Sequence, residues 1–207
     1  MDPTTDAART ELREYYDVRA PEYDDWYLGR GLFAERDRPG WRDEVERLSA
    51  TVAALPPAGS LDVACGTGFL TRHLRGDVVA LDQSERMLEE ARRQAPRATV
   101  LRGDALSLPF PNDAFDRVFT AHFYGHLAEG ERAAFLAETR RVARELVVVD
   151  SSRRHVETDE QVQERILNDG SRWRVYKRWF TGDGLVAELG GGSVLHDGEW
   201  FVVVRRP

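Results

Sequence analysis

Leu61-Asp62-Val63-Ala64-Cys65-Gly66-Thr67-Gly68-Phe69-Leu70 is the stretch whose reading decides the fold. Between Leu61 and Cys65 only Asp62 is polar, as in a strand buried on both faces. Gly66 and Gly68 then allow a tight turn and a close approach of ligand to bare main chain. From Phe69 to Leu74 apolar residues return at helical spacing, which predicts a helix start. Strand, glycine turn and helix together suggest a nucleotide-bearing cofactor. The nicotinamide fingerprint fits poorly: it wants a third glycine where this chain has Thr71, and its ribose-binding acid stands about twenty residues further on. Here an acid comes sooner, at Asp82.

Asp82 closes a second apolar run, Asp77-Val78-Val79-Ala80-Leu81-Asp82, expected to lie beside the first strand with its end at the same sheet edge. A third strand, Ala98 to Leu101, leads to Gly103-Asp104-Ala105. A fourth, Phe115 to Thr120, follows the turn-rich Pro109-Phe110-Pro111-Asn112-Asp113. This succession, with the words LDVACGTGF, VVALDQSERML and LRGDALSLPFPNDAFDRVF, resembles the class I S-adenosylmethionine-dependent methyltransferases over about Leu61 to Asp150. The resemblance implies an α/β fold, a doubly wound, mostly parallel seven-stranded sheet with helices on both faces and the last strand antiparallel. It implies S-adenosyl-L-methionine as cofactor and S-adenosyl-L-homocysteine as product. By position, Ala64, Gly66 and Gly68 form the loop under the methionine part, Asp62 orients that loop, Asp82 holds the ribose diol, and Asp104 with Ala105 reads the adenine edge. Gln83 and Met87 fall near ribose and adenine, although Met87 suits core packing equally well. The family pattern has glycine where this chain has Ala64, a departure that adds one methyl at the strand end.

With 207 residues, the chain is long enough for one sizeable core and short for two, so a single domain over 1–207 is expected. Its 36 acidic residues outnumber 29 basic ones, and the net charge of −7 disfavours a protein that coats nucleic acid. The single cysteine, Cys65, excludes intrachain disulfides and fits a reducing compartment. It reads as a small buried hydrophobe rather than a nucleophile. No apolar run reaches membrane-spanning length and the first residues lack a signal-peptide core, so the expectation is a cytoplasmic protein, monomer or homodimer, without a membrane partner.

Residues 1–55 read as a helical lid or cap. Asp6 to Tyr16 has helical character, and the aromatic run that follows is broken at Pro21. Tyr16, Arg19 and Tyr23 resemble the segment that folds over the cofactor in many methyltransferases; plain aromatic anchoring is the alternative. Gly29 to Gly40 reads as a connector suited to an entrance loop, and Trp41, Val45, Leu48, Val52 and Leu55 as the stripe of a core helix. Ser84 is a candidate N-cap for a helix to Ala95.

His122 and His126, just past the fourth strand, lie where the family places its reacting centre. They are the candidate general bases, with unperturbed pKa values near working pH; a purely structural role is the alternative. No third ligand at suitable spacing accompanies them, so no metal is expected. Glu131 to Arg144 predicts a helix and Glu145 to Asp150 a fifth strand. Residues 151–180 are an insertion that the resemblance makes a wall of the substrate pocket, with a helical piece around Val162 and Ile166. Arg172 to Phe180 reads either as cations and aromatics holding a flat or acidic substrate or as an edge strand with arginines outward. A helix from Thr181 and a hairpin about Asp197-Gly198-Glu199 end the chain. The reading that joins these is methyl transfer to a small-molecule acceptor by in-line displacement. An RNA or protein methyltransferase and a non-catalytic cofactor-binding protein remain the alternatives.

Overall fold

Fifteen regular elements follow one another among residues 3–207, which the computed structural model describes, with side chains from Thr10 onward. In chain order they are α1 (Pro3–Arg19), α2 (Asp25–Leu28), α3 (Trp41–Ala54), β1 (Ser60–Val63), β2 (Val78–Asp82), α4 (Glu85–Gln94), β3 (Thr99–Arg102), β4 (Phe115–Ala121), α5 (Glu129–Val142), β5 (Ala143–Ser151), β6 (Glu160–Ile166), β7 (Arg172–Arg178), α6 (Gly182–Leu189), β8 (Ser193–Asp197) and β9 (Phe201–Arg206). Seven strands form one sheet in the order β3-β2-β1-β4-β5-β9-β8. The first five are parallel, and β9 runs antiparallel to β5. The order reverses beside β1, so β1 and β4 leave the sheet in opposite directions and open a crevice at their carboxyl ends.

Side-chain alternation along the strands feeds two cores, one on each face. On β5, Leu146 and Val148 join Phe135 and Val142 of α5 and Leu185 and Leu189 of α6. The intervening Val147 and Val149 join Val45, Leu48 and Val52 of α3, together with Phe119 and Phe201. Caps fix the helix starts as the sequence predicts: the Ser84 hydroxyl accepts the Met87 N–H at 3.1 Å, and the Thr181 hydroxyl accepts the Gly184 N–H at 3.0 Å.

Three local expectations are corrected. Phe69 to Leu74 forms a single 3-10 turn, Thr71–His73, and no α-helix. Gly76, at φ 98, turns the chain back against Ala58 before β2, and the few residues between it and Gly68 leave no room for a helix to repay its nucleation. The piece around Val162 and Ile166 is a strand, β6, paired antiparallel with β7 from Glu160–Arg178 to Ile166–Arg172. Accordingly, β7 is a strand with Arg172 and Arg174 outward, as one reading had it, but it forms a separate two-stranded ribbon and not an edge of the main sheet.

Candidate functional site

Every strand that reaches the crevice delivers a side chain to one cavity. Its walls include Ala64 and Gly66 after β1, Asp82, Gln83 and Met87 after β2, Gly103, Asp104 and Ala105 after β3, and His122 and His126 after β4. Tyr16 and Tyr23 cover it from the N-terminal segment. That segment is tied down on the same side: the Ser84 hydroxyl donates to Asp17 at 2.5 Å, and Asp24 accepts from Thr67 at 2.6 Å and from Gln94 at 2.5 Å.

Asp82, 8% exposed, sets the geometry of this floor. One carboxylate oxygen accepts the Gly66 N–H at 3.0 Å, and the other accepts the Ser84 N–H at 2.9 Å. The carboxylate thus locks the glycine turn to the start of α4. Each oxygen retains a lone pair for a further donor. Burial raises its pKa, with these backbone N–H groups pulling it back.

Asp62 is more exceptional. One of its oxygens accepts the Thr71 hydroxyl at 2.6 Å, while the other is buried without a partner. Desolvation pushes its pKa to about 7. It lines a small void with Tyr23, Ala64 and Thr67, directly under the turn. An orphaned buried carboxylate oxygen is costly unless a donor or cation meets it.

Two assigned loop residues behave differently from Gly66. Gly68 lies outside the walls of this cavity; at φ 80, a Cβ there would stand 3.1 Å from the Ala91 backbone, so glycine serves the packing of the turn on α4. Ala64, at the family's glycine position, takes the left-handed φ of 57. An L side chain pays for that conformation, so Ala64→Gly is expected to raise stability by about 0.5–1 kcal/mol. Urea unfolding of the two proteins checks it.

His122 and His126 stand on the boundary between this cavity and a second, larger one of about 550 Å³. His122 has a φ of 55, and neither ring nitrogen has a partner although the residue is 6% exposed. Its ring is held edge-on by Trp26 at 4.8 Å, with Tyr27 and Phe201 around it. Strain and unsatisfied polarity in one buried residue mark a position shaped for something other than packing. His126 is oriented by Nδ1–H, which donates to the Tyr176 carbonyl at 2.6 Å and leaves the lone pair on Nε2.

The expectation of near-neutral histidine pKa values is corrected. Burial lowers His122 to about 3 and His126 well below its ordinary value, with Lys177 and arginines adding to the burial effect for His126. Both rings are neutral at pH 7. Between pH 6.5 and about 3 the unfolded chain takes up a proton that folded His122 refuses. Its stability contribution is therefore complete above pH 6.5 and is lost as the pH falls towards 3. The urea midpoint is expected to drop less steeply over that window in His122→Asn, a substitution that tolerates the left-handed backbone.

Arg19 lies outside the first cavity and on the wall of the second, donating to the Tyr15 hydroxyl at 2.6 Å and stacking on Tyr23. Around it are Trp26, Phe33, Arg36, Arg38 and Trp41 from the N-terminal segment, and Ser152, His155, Arg165, Lys177 and Trp179 from 151–180. The sequence reading had none of Arg36, Arg38 or Arg165 against a substrate, and Lys177 only within the Arg172 to Phe180 stretch that one reading gave to substrate. Only Arg165 had a usable signal, because in a strand it shares a face with Gln163. Lys177 forms a buried ion pair with Asp150 at the end of β5.

The chain is similar to known methyltransferases. The family described as "Methyltransferase domain" matches residues 61–146. The demethylmenaquinone methyltransferase of Renibacterium salmoninarum is 34% identical over 148 residues, 69% of this chain and 59% of that protein. The dTDP-3-amino-3,4,6-trideoxy-alpha-D-glucopyranose N,N-dimethyltransferase of Streptomyces venezuelae is 39% identical over 93 residues, 43% of this chain and 37% of that protein. The chain spans less than two thirds of the length of these curated relatives. Among solved structures, the DhpI-SAM-HEP complex superposes with a TM-score of 0.74 at 28% identity, covering 97% of this chain and 98% of that one. With the matched region running from β1 into β5, and a solved structure that superposes over nearly its whole length, the chain is similar in sequence and fold to the class I S-adenosylmethionine-dependent methyltransferases.

Proposed function

We propose that this chain is an enzyme that binds S-adenosylmethionine in the first cavity and transfers its methyl group to a small-molecule acceptor in the second. The observation that carries this reading is the meeting of the two cavities, which share Tyr16, Tyr23, His122 and His126 as walls. The residues fit the cofactor. Asp82 has lone pairs left for two ribose hydroxyls, and the orphaned Asp62 oxygen suits an ammonium group. Asp104, its Oδ1 accepting the Leu106 N–H at 2.9 Å, and Ala105 are assigned to the adenine edge; Gln83 and Met87 stand beside them.

When bound, the cofactor supplies an electrophilic methyl on a sulfonium. The protein's own work is alignment, exclusion of water and, for a protonated nucleophile, removal of a proton. Tyr16 and Tyr23 close the junction and stay neutral, since burial raises both hydroxyls, Tyr23 to about 12. His122 and His126 face the same junction as neutral rings that hydrogen-bond the acceptor; with pKa values this low, neither is a strong base.

Because Tyr16 and Tyr23 roof the cavity, the segment must open to admit ligand. Protease cleavage between Tyr15 and Arg38 is expected to slow several-fold with S-adenosylhomocysteine; equal rates would return the segment to plain packing. Incubation with methyl-labelled cofactor and a metabolite extract tests the function itself. Label in the small-molecule fraction supports it, label in RNA or protein supports the alternative acceptors, and cofactor binding without transfer supports a non-catalytic role.

A further inference from the structure

We propose that the acceptor carries an oxyanion, a carboxylate or phosphoryl group, held in the second cavity by Arg19, Arg36, Arg38 and Arg165. That this oxyanion belongs to a methyl acceptor rests on the function proposed above; the anion site itself stands on its own geometry.

In a chain with net charge −7, carboxylates are plentiful, yet none of these four guanidiniums has one within salt-bridge distance among the described residues. Arg19, 8% exposed, donates to the Tyr15 hydroxyl and lies over the Tyr23 ring at 4.8 Å. Arg165 donates to the same hydroxyl at 3.3 Å and to Gln163 at 3.2 Å. Arg36 lies over Phe33 at 4.6 Å, and Arg38 over Trp41 at 3.8 Å with bonds to the Trp26 and Phe33 carbonyls. The acids that share the walls are engaged elsewhere: Glu22 accepts the Asn168 N–H and Glu164 pairs with Arg172. Lys177 differs, being neutralised by Asp150.

Each guanidinium has five donors, and those used here leave several free. Like charge within the cluster acts on Arg36 and Arg38. After burial, Arg165 and Arg19 depress the Arg36 pKa, and Arg36 helps lower Arg38 to about 10. Clustered, partly desolvated cations without counter-charge cost stability, and a bound oxyanion reverses the sign of that term. The rings of Trp26, Trp41, Trp200 and Phe33 give the rest of the acceptor an apolar bed. Arg19 stacks on Tyr23 at the junction, so the anionic end lies near the transferred methyl. The cluster joins α1, the connector before α3 and β6, three segments separate in sequence that all line this cavity.

The test is calorimetry on the full chain with phenyl phosphate, benzoate and neutral benzyl alcohol, repeated with Arg36→Gln and Arg165→Gln. Both positions are partly exposed, and circular dichroism verifies their folding. The expected result is binding of an anion but not of the alcohol, weakened about tenfold or more in each variant and further by salt. Tighter binding of phenyl phosphate assigns a phosphoryl acceptor, and of benzoate a carboxylate. Equal binding of the alcohol, no binding of either anion, or unchanged affinity in both folded variants overturns the proposal. S-adenosylhomocysteine binding is measured separately: its loss in the wild type counts against methyl transfer and leaves the anion titration to decide the arginine site.

Discussion

Asp82→Ala is expected to bind S-adenosylhomocysteine more weakly by about 2–4 kcal/mol, roughly 30- to 1,000-fold, while remaining folded. Two losses combine. The ribose diol loses charge-assisted acceptors, and the Gly66 and Ser84 N–H groups, held now at 3.0 and 2.9 Å, lose the carboxylate that fixes the turn. Asp82→Asn separates them: it keeps one oxygen and the side-chain shape, so it should lose about half of the effect. Titration calorimetry measures all three proteins, and unchanged affinity in a folded Asp82→Ala protein would remove the ribose assignment and with it the reading of the β2 end.

The crevice was legible in the sequence because its chemistry is local. A buried parallel strand reads as a continuous apolar run, and the residue at its end is delivered to the sheet edge whatever surrounds it. Thus Gly66, Asp82, Asp104 and His122 fall around one cavity as their positions after β1 to β4 require. Gly68 shows the limit of such transfer, since its glycine character serves contact with Ala91 and not the cavity.

The ribbon was illegible for a physical reason. Val162 and Ile166, four apart, imitate one helical face, yet on β6 they are 52% and 46% exposed and join no core. The inward face carries Gln163 and Arg165 because it lines a wide polar cavity and not a core. Hydrophobic periodicity reports a buried apolar face; where a strand faces solvent on one side and a cavity on the other, that signal inverts. The histidine pKa values were hidden for a related reason. Their displacement comes from burial beneath Trp26, Tyr27 and the ribbon, contacts between segments far apart in sequence.

The ribbon's attachment to the sheet should have the largest effect on stability. Lys177, 4% exposed, pairs with the fully buried Asp150, whose Oδ2 also accepts the Gly125 N–H at 2.8 Å and whose Oδ1 accepts the Ser151 N–H at 2.7 Å. Burial lowers the Lys177 pKa while Asp150 raises it, so the ammonium depends on this partner. Lys177→Met keeps the volume but strands a buried carboxylate on two backbone donors. The expected cost is about 3–5 kcal/mol in urea unfolding, a large share of the roughly 5–15 kcal/mol that holds a typical domain together. Adding Asp150→Asn removes the stranded charge and should recover more than half of the loss, because an apolar or neutral replacement of a whole buried pair is nearly free. The His126 ring bonds the Tyr176 carbonyl one residue away, so the single variant should also weaken acceptor binding more than cofactor binding. A loss below about 1 kcal/mol in Lys177→Met would mean that water reaches Asp150 and that the ribbon is held by the packing of Tyr15, Leu167 and Val175 instead.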